Sequence, residues 1–392
     1  MINESIENDL VVSEDWSPKV GGAHYWLENT YKRWGSLVSV ATSTTESTER
    51  LVADSGGGLK IYRNLKPIKT ISLNPTTWYP VLTNALKVLR IADGKTIRIH
   101  CRAYFPEGLV GLVAKKLSGR SIKLVVYVHG EELNVARTSG LLYIVAKRVF
   151  SCADLIIANS KNTEKLLKNI NSTSQVEVIH PGVDAKKINE YLGQRQGIRK
   201  EYGWLPQDFV VLTVARLEPR KNIPLTIDAL VKIRQMGHNV SYVIVGQGDG
   251  NFELSQKIEA VGGREWITHI PKLTEVEKNK IFCAADLFVL PSIKSGPMIE
   301  GFGIVFLEAA AAGLPAISGI SGGEPEAVID RVTGVNVDGS DKNELVRAIL
   351  EMIEDDQLRA RFSDAAKLWA AENDWDLVSE STKTALNFGA HK

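Results

Sequence analysis

The sequence predicts an α/β protein made of two doubly wound parallel-sheet domains. Three observations lead there. Short β-branched apolar runs alternate with longer amphipathic segments along the whole chain. Those runs are apolar almost throughout, the pattern of strands covered on both faces. The alternation breaks at the polar stretch GQRQGIRKEYGWLPQD (193–208) and then restarts, and 392 residues exceed what one ordinary core organises.

Taken in order, DLVVSEDW (9–16), SLVSVAT (36–42), TIRIHC (96–101), KLVVYVHG (123–130), DLIIANS (154–160) and VEVIHPGVD (176–184) read as strands. GAHYWLENTYKRW (22–34), PEGLVGLVAKKLSG (106–119) and SGLLYIVAKRVFSCA (139–153) carry the three-to-four spacing of helices. After a linker near 185–208 come FVVLTVA, PLTIDALVKIRQMG, SYVIVG, WITHI, TEVEKNKIFCAA, DLFVLPS, GIVFLEAAAAG and PAIS. The last fifty or so residues read as three helical segments around Trp369 and Trp375. SVATSTTESTER (39–50), with a Gly-rich run soon after, reads as a mobile surface loop. The expected division is 1–190, 191–375 and a last helix in 376–392 that crosses back to the first domain. Ligands of doubly wound sheets bind at the carboxyl ends of the strands, so the cleft between the domains is the expected active site.

Composition narrows the function classes. With 44% hydrophobic and 24% charged residues, the chain is of the ordinary globular type. Cys101, Cys152 and Cys283 are odd in number and far apart, which fits a reducing, cytoplasmic setting and neither a disulfide framework nor a zinc site. The start, MINESIENDL, is acidic and unlike a secretory signal, and no apolar run approaches the ~20 residues of a bilayer span. Formal charge is +7 over residues 1–190 and −6 over 191–392. A basic first half suits an anionic partner or the inner face of a membrane, and equally an uneven solvated surface. AKKLSGRSIK (114–123) and AKRVF (146–150) set cations beside apolar residues, as a membrane-binding face or an ordinary exposed helix does.

Four motifs follow strands. VARLEPRKN (214–222) puts Arg216 and Lys221 in a loop that opens a helix at about Asn222, an arrangement suited to a diphosphate. Gly21 and Gly22 precede a helix, where backbone N–H groups approach a phosphate closely or simply form a turn. His129 ends a buried strand; it can donate to a sugar hydroxyl, though alone the structural reading is the commoner one. VIVGQGDGN (243–251) is a tight turn and not a dinucleotide fingerprint, and no GxxxxGK[ST] pattern occurs.

The segment IEGFGIVFLEAAAAGLPAISGISGGEPEAV (299–328) sets Glu300 and Glu308 eight apart among small and apolar residues. A helix beginning near Gly303–Ile304 places Glu300 at the positive end of its dipole and Glu308 about a turn and a half further on. Both can face one ligand. A buried ion pair or a cap would account for one of these carboxylates but not for both.

This Glu-x7-Glu segment, with VARLEPRKN, the early Gly-Gly loop, YVHGEE and VIHPGVD, resembles the retaining GT-B glycosyltransferases of family 4, in order and over nearly the whole chain. The likeness is strongest over 205–330, looser over 36–100, and extends to GDP-mannose-dependent lipid mannosyltransferases. It implies transfer of a hexose from a nucleotide diphosphate sugar, GDP-mannose favoured and a UDP-sugar as the other donor, to a hydroxyl of a lipid, glycan or small molecule. It implies no metal and no further cofactor. Arg216 and Lys221 would hold the diphosphate, Gly21 and Gly22 the distal phosphate, and Glu300 a sugar hydroxyl. Backbone N–H groups of Phe302, Gly303 and Ile304 would touch sugar and phosphate, and Glu308 the ribose. The base would lie on Lys272 and Leu273, and His129 would contact the sugar. On this reading Glu300→Ala abolishes transfer and leaves the fold intact. The segment KPIKTISLNPTTWYPVLTNALK (66–87), read as mobile, matches no family signature, so the acceptor does not carry over. Two other readings are a sugar-nucleotide 2-epimerase of the same architecture, which would need its own acid–base pair, and a non-catalytic sugar-nucleotide-binding protein. The intact Arg216, Lys221, Glu300 and Glu308 oppose the last. No nucleic-acid partner is expected.

Overall fold

A computed structural model describes residues 8–17, 21–43, 53–55, 58–94, 96–170 and 173–388. The chain forms two compact units: unit 1 runs to Pro181 and resumes at Trp375, and unit 2 is Gly182–Asp374.

Unit 1 holds strands β1 (Asn8–Val12), β2 (Val38–Ser43), β3 (Ala53–Ser55), β4 (Leu59–Leu65), β5 (Thr96–Cys101), β6 (Lys123–Val128), β7 (Leu155–Ala158) and β8 (Gln175–Val178). Their order is β3-β4-β2-β1-β5-β6-β7-β8, and every pairing is parallel except β3 with β4. The helices are α1 (Gly22–Tyr31), α2 (Tyr79–Ala92), α3 (Leu109–Leu117), α4 (Glu131–Thr138), α5 (Gly140–Cys152) and α6 (Lys161–Lys168). Neighbouring residues of a strand enter different cores. Leu10, Val12, Leu124 and Val126 pack on one face, and Val11, Val125 and Tyr127 pack on the other with Trp26 and Trp34. That is the two-sided burial the apolar strands predict.

Unit 2 contains β9 (Phe209–Val214), β10 (Val240–Val245), β11 (Ile267–Ile270), β12 (Leu287–Leu290), β13 (Ala316–Gly319) and β14 (Gly334–Val337). All are parallel, in the order β11-β10-β9-β12-β13-β14. Its helices are α7 (Ala185–Asn189), α8 (Arg195–Glu201), α9 (Ile223–Gln235), α10 (Asn251–Ala260), α11 (Glu275–Ala284), α12 (Ile304–Ala311), α13 (Glu324–Ala327), α14 (Lys342–Glu354) and α15 (Asp356–Glu372). The final helix, α16 (Trp375–Phe388), packs within unit 1. Trp375 is fully buried against Tyr25, edge to face at 5.8 Å, and Trp34 Nε1 donates to Ser379 Oγ at 2.8 Å.

Three expectations are corrected. The polar stretch 193–208 is no free linker. It forms α8, which Arg199 fastens to unit 2 through the carbonyls of Ala284 and Leu205 and the Asp286 carboxylate. Its charges are spent on specific bonds, which composition alone does not reveal. The segment 66–87 leads into α2, a regular helix whose Val81, Ala85, Val88 and Ala92 are buried at helical spacing behind a Pro in the first turn. Of the expected surface loop 39–50, residues 39–43 belong to β2 and the remainder lies outside the described residues.

Candidate active site

In unit 2 the chain runs outward from β9 to β11 on one side and from β12 to β14 on the other. The loops leaving β9 and β12 therefore diverge and open a crevice at the carboxyl ends, where open α/β sheets bind ligands. These loops, 215–222 and 291–303, carry Arg216, Lys221 and Glu300.

Side chains in them form one charged chain. Arg216 Nη2 lies 3.0 Å from Glu218 Oε1, and Arg220 Nε 2.8 Å from Glu218 Oε2. Arg220 Nη1 donates to Glu300 Oε2 at 2.8 Å, and Lys221 Nζ donates to the same oxygen. Arg220 and Lys221 are buried, 6% and 7% exposed, whereas the Arg216 side chain is 67% exposed. Burial acts to raise the Glu300 carboxyl, but the Lys221 and Arg220 charges and hydrogen bonds outweigh it and hold it below the ordinary value. Three cations face two carboxylates, so the group keeps a positive surplus suited to an anion.

The sequence reading singled out neither Arg220 nor Glu218. Both stand in the motif, but their directions depend on Asn222. That residue takes left-handed backbone (φ 56°) as the cap of α9, and its Nδ2 donates to the carbonyls of Gly339 and Pro291. The turn Gly246–Gly250 fixes the Arg216 side of the loop. Leu217 N donates to Gln247 O at 3.2 Å and Gly250 N to Leu217 O at 3.1 Å, and a Cβ at Gly246 would strike the Ala215 carbonyl.

Glu308 lies on α12, 9% exposed, with Lys278 Nζ of α11 2.7 Å from Oε1. Burial lowers the Lys278 ammonium, yet the Glu308 charge more than offsets it and leaves it raised. Each of the two glutamates thus has a cationic partner. The expectation that ion pairing accounts for only one of them is wrong: Lys278 is 30 residues away in sequence and invisible to local spacing.

Helix α12 begins at Ile304, as expected. Gly303 caps it at φ 93°, where a Cβ would meet the Phe306 ring at 2.7 Å. Its first turn leaves the N–H groups of Ile304 and Val305 without intrahelical partners, while Phe306 N donates to the Gly303 carbonyl at 3.0 Å. Phe302 is buried in the core beneath. Lys272 is exposed and Leu273 half-buried, between β11 and the Thr274–Glu277 capping box that opens α11. Beneath Glu300 runs the loop 319–324. Gly323 N donates to Glu300 O at 2.9 Å, and Gly319 N donates to Glu324 Oε2 at 2.7 Å. Glu324 is fully buried; burial and the neighbouring Glu300 charge push it up to about 8.

In unit 1, Gly21 caps α1 in extended backbone and Gly22 opens the helix. His129 follows β6. Its Nε2 lies 2.8 Å from the Arg102 carbonyl, so Nε2 carries the proton, and burial lowers the ring to about 4. The imidazole is neutral, and its Nδ1 accepts hydrogen bonds and cannot donate them. Among the described residues no cluster of His, Cys, Asp and Glu is arranged to hold a metal ion.

The model of the Glycosyltransferase Family 4 matches residues 20–187, and that of Glycosyl transferases group 1 matches 194–369. The chain belongs to glycosyltransferase family 4. This family 4 glycosyltransferase is 29% identical over 392 residues to a GDP-mannose-dependent alpha-(1-6)-phosphatidylinositol monomannoside mannosyltransferase of Mycolicibacterium smegmatis, covering 96% of this chain and 97% of that protein. It is 28% identical to a D-inositol 3-phosphate glycosyltransferase of Salinispora arenicola, over 73% of this chain and 67% of the relative. Its fold is similar to that of Anabaena HepE in complex with UDP and glucose, with a TM-score of 0.79 at 23% identity over 97% and 99% of the two chains. Sucrose-phosphate synthase of Thermosynechococcus elongatus superposes with a TM-score of 0.81 at 19% identity, over 97% and 98%. The architecture is GT-B, two parallel-sheet α/β domains.

Proposed function

We propose that the chain is a retaining hexosyltransferase that takes its sugar from GDP-mannose, with a UDP-sugar as the alternative donor, and delivers it to a hydroxyl of a lipid, glycan or small-molecule acceptor. The observation that carries this reading is the Arg216–Glu218–Arg220–Glu300–Lys221 chain at the β9/β12 reversal. The names of the mannosyltransferase relatives favour the donor.

Transfer breaks the bond from the sugar's anomeric carbon to phosphate oxygen and forms one to the acceptor oxygen on the same face. The acceptor proton leaves with the diphosphate. Negative charge grows on that diphosphate, and preorganised cations in a partly dry site stabilise it. Arg216 and Lys221 serve that purpose, and Arg220 and Glu218 hold them in place. Glu300, kept ionised by its two cations, accepts from a sugar hydroxyl. Glu308 accepts from the ribose, the N–H groups of Phe302, Gly303 and Ile304 meet sugar and phosphate, and the base lies along Lys272 and Leu273. Gly21 and Gly22 offer N–H groups to a phosphate, and His129 accepts a sugar hydroxyl at Nδ1. The guanidinium and ammonium groups supply the positive charge, and no metal takes part.

Peripheral attachment to a membrane belongs to the same reading. No helix among the described residues is long and apolar enough to cross a bilayer. Helix α2 exposes Tyr79, Leu82 and Leu86 on one stripe, with Arg90 exposed further along the helix and the Lys66 ammonium 5.3 Å above the Tyr79 ring. This stripe is a better candidate than 114–123, where Lys115 is paired with Asp154 at 2.5 Å.

The test is a thermal-shift screen with GDP, UDP, ADP and their sugars, followed by NMR of the product's anomeric configuration. A ligand at 100 times its dissociation constant stabilises by about 2.7 kcal/mol. A shift with GDP and GDP-mannose and an α-product are expected. No shift with any nucleotide, or an inverted product, would refute the reading.

A further inference from the structure

Glu218 puts a negative charge beside the cations that the donor reading assigns to a diphosphate, and its geometry keeps the charge there. The carboxylate bridges two guanidinium groups in unit 2. Its Oε1 lies 3.0 Å from Arg216 Nη2, and its Oε2 lies 2.8 Å from Arg220 Nε. The two bonds differ in permanence. Arg220 is 6% exposed, and its Nη1 donates to Glu300 Oε2 at 2.8 Å. The Arg216 side chain is 67% exposed and reaches solvent. The backbone fixes the buried side further. Lys221 N donates to Glu218 O and Ile293 N to Arg220 O, both at 2.9 Å. A diphosphate that draws Arg216 toward itself therefore leaves Glu218 behind on Arg220, with its charge beside the ligand.

Transfer raises the charge of that ligand. A nucleotide diphosphate sugar carries two negative charges. The nucleoside diphosphate left after transfer carries three once the acceptor proton has passed to water, because a terminal phosphate loses its second proton at about pH 6. Arg216, Arg220 and Lys221 against Glu218 and Glu300 leave a surplus of one positive charge. Without Glu218 the surplus is two, which matches the incoming sugar nucleotide and holds the departing diphosphate tightly. Coulomb repulsion grows with ligand charge, so Glu218 acts about half again as strongly on the product as on the donor.

Resting on the donor reading above, we propose that Glu218 tunes the site for product release: its fixed carboxylate opposes the nucleoside diphosphate left after transfer more than the nucleotide sugar that enters. One side chain thus holds Arg216 in the free protein and tempers its charge in the complex.

The test is isothermal titration calorimetry on the full chain at about pH 7.5 without divalent metal. The probes are GDP-mannose and GDP, with UDP-glucose and UDP as the second pair. Glu218→Gln keeps the size of the side chain and an oxygen for Arg220, and removes the charge. A partly screened repulsion over about 8 Å is worth about 3-fold per unit of ligand charge. In Glu218→Gln the sugar nucleotide should therefore bind about 10-fold, and the diphosphate about 30-fold, more tightly than in the parent. Glu218→Asp keeps the charge and disturbs both guanidinium bonds. It should leave the ratio of the two affinities at the parent value, whatever it does to each. The ratio separates charge from folding, because a loosened loop weakens both ligands alike. Weaker binding of both ligands in Glu218→Gln, an unchanged ratio there, or the same change of ratio in Glu218→Asp would overturn the proposal and leave the donor reading standing. No binding of either pair to the parent would refute the donor reading and this proposal with it.

Discussion

Arg220 Nη1 donates to Glu300 Oε2 at 2.8 Å, across 80 positions of sequence. The same guanidinium grips Glu218 through Nε. One planar group thereby fixes the direction of two carboxylates, which an ammonium on a flexible stem does not. The loop after β9 and the loop after β12 become one rigid charged surface.

Glu300→Ala is the first consequence. The sequence reading has this variant folding normally, but the structure revises that. Removing Glu300 leaves the buried Lys221 ammonium without its carboxylate, a loss of about 3 kcal/mol when buried pairs are broken on one side. The variant should lose both transfer and stability in urea titrations. The double variant Glu300→Leu with Lys221→Met removes the orphaned charge and should recover most of the stability while staying inactive. Recovery of activity in the double variant would show that Glu300 serves the fold alone.

A second consequence concerns pH. Glu324 is neutral in the folded protein up to about 8, against an ordinary value near 4.5. The folded state therefore holds a proton that the unfolded chain releases. Its stabilising contribution is complete below pH 4.5 and is lost as pH rises to about 8. Glu324→Gln removes that dependence and keeps an oxygen to accept the Gly319 N–H. Urea midpoints between about pH 5 and 9 should fall less steeply in Glu324→Gln than in the parent. Parallel curves would mean that Glu324 is ionised in the folded protein.

A third concerns Lys278, which holds Oε1 of Glu308, the carboxylate proposed above to accept from the ribose. Lys278→Met frees the carboxylate to turn. The donor KM should rise roughly 5- to 50-fold with kcat nearly kept, the mark of lost uniform binding. A drop in kcat at constant KM would place Lys278 in the chemical step instead.

How far the sequence carried differs between the fold and the site. Strands such as KLVVYVHG and DLIIANS were legible because burial on both faces leaves an uninterrupted apolar run. The start of α12 was legible because Gly303 needs positive φ and an apolar helix follows it. Helix α2 was missed because its N-terminus is crowded with turn residues, Asn74 and Pro75 to Thr77, that mask its spacing. At the site, Arg216, Lys221 and Glu300 were picked out, while Arg220, Glu218, Lys278 and Glu324 were not. Their partners lie 2 to 80 residues away, and no local period encodes a tertiary ion pair. The charges of 193–208 were read as linker for the same reason, since bonds such as Arg199 to Asp286 appear only once the sheet is assembled.

The loop 319–324 supports Glu300 by backbone contact, and this is testable with glycine. Gly322 has φ 74°, and a Cβ there would be driven into the Glu300 carbonyl. Gly203 has nearly the same φ, 72°, and a methyl group there would meet nothing within 4 Å. Gly203→Ala therefore measures the strain of a left-handed alanine by itself, about 1 kcal/mol. Gly322→Ala adds displacement of Glu300 to that strain. It should lose markedly more stability and lower kcat/KM by about 100-fold or more, whereas Gly203→Ala should keep kcat/KM near the parent value. On the proposed reading the contact matters because Glu300 meets both its two cations and a sugar hydroxyl, and a shift of about 1 Å is enough to cost catalysis that factor. Equal behaviour of the two variants in urea titration and in turnover would show that the 319–324 loop plays no part in placing Glu300.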